Sequence, residues 1–119
     1  MNRIVHVDNS EFFRKLMKTF LLEMGYETES FAVGEEAVAT VKAGRVDYAI
    51  TGMELADMTG EDFIKKLVGS SFSVPVIVVT SKNFPEQHKR LRALGVKAII
   101  QKSSDWKVEL GHQLTELHK

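Results

Sequence analysis

Short apolar segments that alternate with amphipathic segments constrain the fold of this chain more than any other feature. Three short segments are almost wholly apolar, at residues 4–7, 48–50 and 74–79, and a still shorter one spans 98–100. Strands of this kind are buried on both faces, as they are in parallel sheets. Residues 26–31 instead alternate apolar and polar side chains, which predicts a half-exposed edge strand.

Helical periodicity separates these strands, because apolar residues recur three and four positions apart between them. Every helical stretch but the last ends at a glycine, which is a common stop signal. The apolar residues predicted to mark the helices are Phe12, Phe13, Leu16, Met17, Phe20, Leu21 and Met24, then Ala37, Val38 and Val41, then Phe63, Ile64, Leu67 and Val68, then Leu91 and Leu94, and finally Trp106, Leu110, Leu114 and Leu117.

Strand and helix thus alternate five times. This (βα)5 pattern predicts an α/β fold of the flavodoxin-like kind, with a five-stranded parallel sheet of order 2-1-3-4-5 and helices on both faces. The half-exposed second strand suits the edge position in that order. The 119 residues suit one compact domain spanning residues 1–119.

Composition narrows the classes of function. The chain has no cysteine, so it has neither disulfides nor thiolate metal sites. No apolar run approaches the roughly 18 residues that a membrane span needs, and the first residues predict a strand rather than a signal peptide. We therefore expect a cytoplasmic protein that does not bind membranes. A formal net charge of zero argues against nucleic-acid binding by this domain.

The charges are nonetheless segregated along the chain. Residues 27–62 carry nine acids against two bases, whereas residues 82–102 carry six bases against one acid. Two interpretations remain open at this point. The basic segment is either a set of solvated helix faces or a docking face for an acidic partner.

Polar residues follow the predicted strands at the edge where such folds bind ligands. Asp8 and Asn9 follow the first strand, Gly52 the third, Thr80 ends the fourth, and Lys102 follows the fifth. Because the carboxyl ends of parallel strands meet at one edge, we expect these positions to lie close together.

Over its whole length the chain resembles bacterial response-regulator receiver (CheY-like) domains. In that family the same strand ends carry an acidic pair, a phospho-accepting aspartate, a hydroxyl residue and a lysine, and a glycine follows the acceptor by eight residues, as Gly60 follows Gly52 here. The resemblance implies that Asp8 is the remaining carboxylate of the three, with Asn9 replacing the second acid. Gly52 stands at the acceptor position and is not functional, because glycine offers no nucleophile.

These departures imply a degenerate pseudo-receiver that is not an enzyme and has no catalytic residues. With one carboxylate left, Mg²⁺ binding is expected to be weak or absent, and we expect no cofactor and no metal site. Ser103 replaces the family's proline, so we expect a trans peptide bond after Lys102. The family's switch aromatic corresponds to Ile99, which cannot swing as a tyrosine does.

Lys102 has lost its usual partner, and a lysine beside a partly desolvated strand end is costly without an anion. We therefore predict that Lys102 pairs with Asp8 or Glu54, with Glu54 and Lys82 as residues that fill the pocket. His6 is expected to be a hydrogen-bonded core histidine. The run from Ser103 to Asp105 is expected to cap the fifth helix.

The resemblance implies phosphorylation-independent protein–protein interaction, or control of an attached output domain, through the face built from helix four, strand five and helix five. On it, Lys89, Arg90 and Arg92 are the predicted partner face, with at least one of the two arginines exposed. The oligomeric state is left open, as is whether the chain belongs to a longer protein.

Two alternatives remain. The strand-end crevice could bind a small anion or nucleotide through Lys102, Lys82 and Thr80, which would make the domain a ligand sensor. Gly52 could also be an engineered replacement of aspartate. The concurrent loss of the second acid, the proline and the switch aromatic favours natural drift instead.

Overall fold

Five parallel strands form one sheet with helices on both of its faces. The structure is a computed structural model that describes residues 2–69 and 74–119. Its elements in chain order are β1 (Arg3–Val7), α1 (Glu11–Glu23), β2 (Glu27–Phe31), α2 (Gly34–Lys42), β3 (Tyr48–Thr51), α3 (Gly60–Val68), β4 (Val76–Thr80), α4 (Pro85–Ala93), β5 (Ala98–Gln101) and α5 (Trp106–His118). All five predicted strands are present, each within two residues of its predicted bounds.

The sheet order is β2-β1-β3-β4-β5, and every pairing between neighbouring strands is parallel. The predicted flavodoxin-like topology is therefore confirmed, with β2 at an edge. Because the order reverses between β1 and β3, the loops that follow these two strands open a crevice at the carboxyl edge of the sheet.

Two hydrophobic cores lie on the two faces of the sheet. One packs α2, α3 and α4 against alternate strand residues such as Val5, Val7 and Val78. The other packs α1 and α5 against the strand residues on the opposite face of the sheet, such as Ile4, Ile50 and Ile77. This alternation explains why the central strands read as continuous apolar runs.

The apolar stripe of α1 is narrower than the sequence predicts. Phe13, Met17 and Leu21 are buried, but Phe12 is 73% exposed and Met24 is 36% exposed. Phe12 lies one residue before Phe13, which places it about 100° away around the helix. Val68 at the end of α3 is likewise 55% exposed. The prediction that these three residues face the core is wrong.

Candidate functional site

The carboxyl ends of four strands meet around one cavity. Asp8 follows β1, Gly52 follows β3, Thr80 ends β4 and Lys102 follows β5. A cavity of about 260 Å³ opens at this edge of the sheet. Six positions that were singled out from the sequence line it, namely Asp8, Asn9, Glu54, Thr80, Lys82 and Lys102. The structure thus brings together residues that are up to 94 positions apart in the chain.

Asp8 is fixed from several directions. Its side chain is only 5% exposed, and its Oδ1 accepts a hydrogen bond from the Ser10 backbone N–H at 2.9 Å. The Ser10 hydroxyl in turn caps α1, because it accepts from the Phe13 N–H at 3.1 Å. The Arg14 guanidinium donates to the Asp8 carbonyl oxygen at 2.6 Å. The start of α1 therefore orients this carboxylate.

Lys102 pairs with Asp8, as one of the two predicted alternatives requires. The distance from Lys102 Nζ to Asp8 Oδ2 is 2.9 Å, and the lysine side chain is 22% exposed. The same ammonium lies 4.2 Å from the centroid of the Phe13 ring, a distance that allows a cation–π interaction. Phe13 is supported from behind by Trp106 at 4.9 Å between ring centroids. The lysine is held by a carboxylate on one side and an aromatic face on another.

Gly52 makes room for the Asp8 carboxylate. A Cβ atom placed on Gly52 would lie 2.5 Å from Asp8 Oδ2 and 3.0 Å from Asp8 Cγ. Ordinary van der Waals contact begins at 3.4 Å, so no larger residue fits here unless Asp8 moves. Gly60 is constrained in a related way, since a Cβ there would overlap the Gly52 carbonyl oxygen. The close approach explains why glycine suits both ends of this loop.

Glu54 pairs with Lys82 rather than with Lys102. The two side chains form an ion pair above the cavity, with Glu54 67% and Lys82 45% exposed. The hydrogen bond from Lys82 lowers the pKa of Glu54. The alternative prediction that Glu54 takes Lys102 is wrong, because Asp8 is bound to it instead. An exposed pair of this kind contributes little stability, because solvent screens it.

Thr80 and Asn9 contribute mainly to the architecture of the cavity. The buried Thr80 hydroxyl accepts a hydrogen bond from the Lys82 N–H at 3.1 Å. The Thr80 carbonyl accepts from the Lys102 N–H at 2.8 Å. The Asn9 N–H donates to the Glu54 carbonyl at 3.2 Å, which links the loops after β1 and β3.

Asp57 is a residue of this region that the sequence did not reveal. Its carboxylate accepts from the Gly34 and Glu35 N–H groups at 2.6 and 3.0 Å, and so caps α2 from the loop after β3. Desolvation opposes ionisation of Asp57, but the backbone hydrogen bonds from Gly34, Glu35 and Asp57 itself, together with the charge of Lys66, lower its pKa overall. An acidic residue in a loop was the only signal, and nothing in the sequence links it to a helix 23 residues earlier.

The predictions made for the residues around β5 are confirmed in part. The peptide bond after Lys102 is trans, as predicted. Ile99 is partly buried and packs against the core on the α4 face. Asp105 occupies the N-cap position of α5, but its side chain makes no capping hydrogen bond. The Ser103 hydroxyl accepts from the Asp105 N–H at 3.3 Å, which is not an amide of the first helical turn, so the predicted side-chain cap is wrong.

The predicted partner face is exposed, although one of its members is already engaged. Lys89, Arg90 and Arg92 all lie on the solvent side of α4. Arg90 bonds both carboxylate oxygens of Glu61 on α3, at 3.2–3.3 Å. That hydrogen bond lowers the pKa of Glu61. Lys89 and Arg92 remain without an acidic partner among residues 2–69 and 74–119.

His6 is a core residue, but it is not hydrogen-bonded. It is completely buried in β1, with its ring 6.1 Å from that of Phe13. Neither ring nitrogen has a partner among the residues that the structure describes, so the expectation of a hydrogen-bonded histidine is wrong. Burial lowers the pKa of His6 to about 4.

The side chains at this edge do not fit the Mg²⁺ site that the resemblance implies. Mg²⁺ requires several oxygen ligands in octahedral geometry. One Asp8 oxygen accepts from Ser10 and the other is bound to Lys102, and Gly52 offers no carboxylate. Within the described ranges, no three His, Asp or Glu side chains are grouped as metal ligands.

None of the described helices is long and apolar enough to cross a membrane.

Comparison with known proteins gives a consistent match. A family model described as the response regulator receiver domain matches residues 4–111. The regulatory protein VanRc of Enterococcus gallinarum is 29% identical over 80 residues, which cover 67% of this chain and 34% of that protein. The protein-glutamate methylesterase/protein-glutamine glutaminase of Bacillus subtilis is 31% identical over 87 residues, covering 69% of this chain and 23% of that protein. The chain thus spans about a third or less of these two relatives.

The fold is matched over almost its full length by a solved structure. The chemotaxis response regulator CheY4 of Vibrio cholerae superimposes with a TM-score of 0.87 at 28% sequence identity. The match covers 98% of both chains.

Proposed function

This chain belongs to the response regulator receiver domain family of two-component signalling, and we propose that it is a pseudo-receiver that acts without phosphorylation. In this proposal the domain is not an enzyme, works in the cytoplasm and needs no cofactor. Its output is protein–protein interaction, either with a separate partner or with an attached output domain. The observation that carries the proposal is the pair of features at Gly52: the position has no nucleophile, and the Asp8 carboxylate fills the space beside it.

The Asp8 carboxylate is poorly placed to accept a phosphoryl group in place of an aspartate at position 52. A nucleophilic carboxylate must reach the phosphorus atom of the donor. The Asp8 side chain is only 5% exposed, and its two oxygens are engaged by Ser10 and Lys102. Glu54 is exposed but is paired with Lys82. This arrangement supports a site that keeps the receiver scaffold without the transfer chemistry.

Receiver domains interact with proteins such as kinases and output domains, and the proposed contact surface here is α4. Lys89 and Arg92 are exposed cations without an acidic partner among the described residues. An acidic partner surface complements them and would speed their association at low salt. Arg90 contributes less, because its charge is neutralised by Glu61.

The alternative of a small-anion or nucleotide sensor has less support. The cavity contains two lysines, which favours an anion, but each ammonium is already paired with a carboxylate. An incoming phosphate would have to displace Asp8 or Glu54 before it gained a cation. Thermal unfolding with a panel of phosphates and nucleotides separates the two functions, since a sensor gains stability from its ligand.

The decisive test of phosphorylation independence is intact-mass spectrometry after incubation with acetyl phosphate and Mg²⁺. We expect no phosphoryl adduct. A receiver domain that has its acceptor aspartate serves as the positive control in the same buffer. A stoichiometric adduct on this chain would contradict the proposal, and mapping the modified residue would show which side chain had replaced the acceptor.

A further inference from the structure

We propose that the ammonium group of Lys102 is the built-in cation of this site and takes the place of a divalent metal at Asp8. The inference deepens the proposed function, because it names what stabilises the strand-end site in a domain that is not phosphorylated. It concerns the charge balance of the site only, and it does not depend on which partner binds α4.

The first argument is the charge of Asp8. A carboxylate that is 95% removed from solvent is costly unless a cation compensates it. Lys102 Nζ, at 2.9 Å from Oδ2, is the cation in contact with it. The backbone N–H of Ser10 satisfies the other oxygen. A metal ion at this carboxylate would therefore have to expel the lysine first.

The second argument is the surface on which the ammonium rests. The Phe13 ring lies 4.2 Å from Nζ, and Phe13 is held in place by Trp106 and by the capped first turn of α1. An aromatic face stabilises a monovalent ammonium but offers no oxygen to a divalent ion. The environment of Asp8 thus suits an organic cation better than Mg²⁺.

The third argument links Gly52 to the ion pair between Asp8 and Lys102. An acceptor side chain at position 52 would push the Asp8 carboxylate out of its present place, because its Cβ would lie 2.5 Å from Oδ2. Glycine leaves that space open, and the carboxylate occupies it while it contacts Lys102. The loss of the acceptor and the capture of Asp8 by the lysine are therefore two parts of one arrangement.

The test is the cation dependence of the thermal unfolding midpoint of four proteins at constant ionic strength. These are the parent, Lys102→Ala, the double variant Asp8→Asn/Lys102→Ala, and Lys97→Ala as a control for the loss of an exposed lysine. Each is measured with 10 mM MgCl₂, with methylammonium chloride, and with NaCl matched in ionic strength.

We expect MgCl₂ to leave the midpoints of the parent and of Lys97→Ala unchanged within about 1 °C, since neither offers Asp8 to a metal. Lys102→Ala should lose roughly 5–10 °C, because it leaves a buried charge unpaired. Mg²⁺ or methylammonium should then restore part of that loss. The double variant should show no restoration, because it has lost the carboxylate.

The proposal is overturned if MgCl₂ stabilises the parent as much as it stabilises Lys102→Ala. It is equally overturned if Lys102→Ala is no less stable than Lys97→Ala. Where Lys102→Ala does not fold, the parent and Asp8→Asn decide: stabilisation of the parent by Mg²⁺ that disappears in Asp8→Asn contradicts a site already filled by lysine. None of these results depends on the acetyl phosphate experiment, so the two proposals can fail separately.

Discussion

The substitution Gly52→Asp should destabilise the domain in the absence of metal. The new Cβ would lie 2.5 Å from Asp8 Oδ2, about 1 Å short of ordinary contact, so the buried carboxylate must move. Inserting atoms into a packed site typically costs about 1–3 kcal/mol. Two carboxylates about 4 Å apart repel by about 4 kcal/mol at an effective dielectric constant of 20, and their shared attraction to Lys102 offsets much of this. We expect a net loss of about 2–4 kcal/mol in the free energy of unfolding.

Gly52→Ala separates the two contributions. Alanine brings the steric conflict with Asp8 but no second charge, so its loss should be about 1–3 kcal/mol and should not depend on Mg²⁺. Gly52→Asp supplies a second carboxylate and should regain part of the receiver metal site. At a Mg²⁺ concentration ten times the dissociation constant, this linkage stabilises the variant by about 1.4 kcal/mol.

Urea unfolding of the parent, Gly52→Ala and Gly52→Asp, with and without Mg²⁺, measures these quantities. Equal stability of all three proteins without metal would refute the argument that Asp8 occupies the acceptor space. A Gly52→Asp variant that binds Mg²⁺ no better than the parent would show that the receiver analogy does not describe the chemistry of this site.

Two further predictions concern the contact surface and acid stability. Charge reversal of Lys89 and Arg92 should weaken partner capture at least tenfold at low salt, with little change in melting temperature. Charge reversal of the exposed Lys42 on α2 is the control and should leave capture unchanged. Equal effects of the two changes would exclude α4 as the contact surface. The pKa of His6 is about 4 when folded against 6.5 when unfolded, so the stability that depends on neutral His6 is complete above pH 6.5 and is lost as the pH falls toward 4. This loss amounts to about 3 kcal/mol. Urea unfolding between pH 7 and 4 should show a flatter dependence of stability on pH for His6→Leu than for the parent. Identical profiles for the two proteins would contradict the assignment of this loss to His6.

Local patterns predicted the fold because they carry its main determinants. Continuous apolar runs required burial on both faces, and the alternating residues of β2 required an edge. The pairing of Lys102 was predictable for a similar reason, since a cation beside a desolvated strand end needs an anion, and topology placed Asp8 within reach.

The contacts that the sequence missed depend on tertiary geometry. Arg90 and Glu61 are 29 residues apart and meet because α3 and α4 lie on the same face of the sheet. The exposure of Phe12 depends on which side of α1 faces the sheet, and the adjacent apolar residues Phe12 and Phe13 left this open in the sequence. Among the described residues neither His6 nitrogen has a partner, and this depends on which side chains surround the buried ring.

The cap that Asp57 places on α2 has a mechanical consequence. Because its carboxylate binds the Gly34 and Glu35 N–H groups, and because a Cβ on Gly34 would lie only 2.7 Å from Met58 Sδ, the loop after β3 and the first turn of α2 are in direct contact. A displacement of that loop would fray this turn and open its amides to hydrogen exchange. The amide protons of Gly34 and Glu35 therefore report on motion at the strand-end site, and their exchange can be followed by NMR.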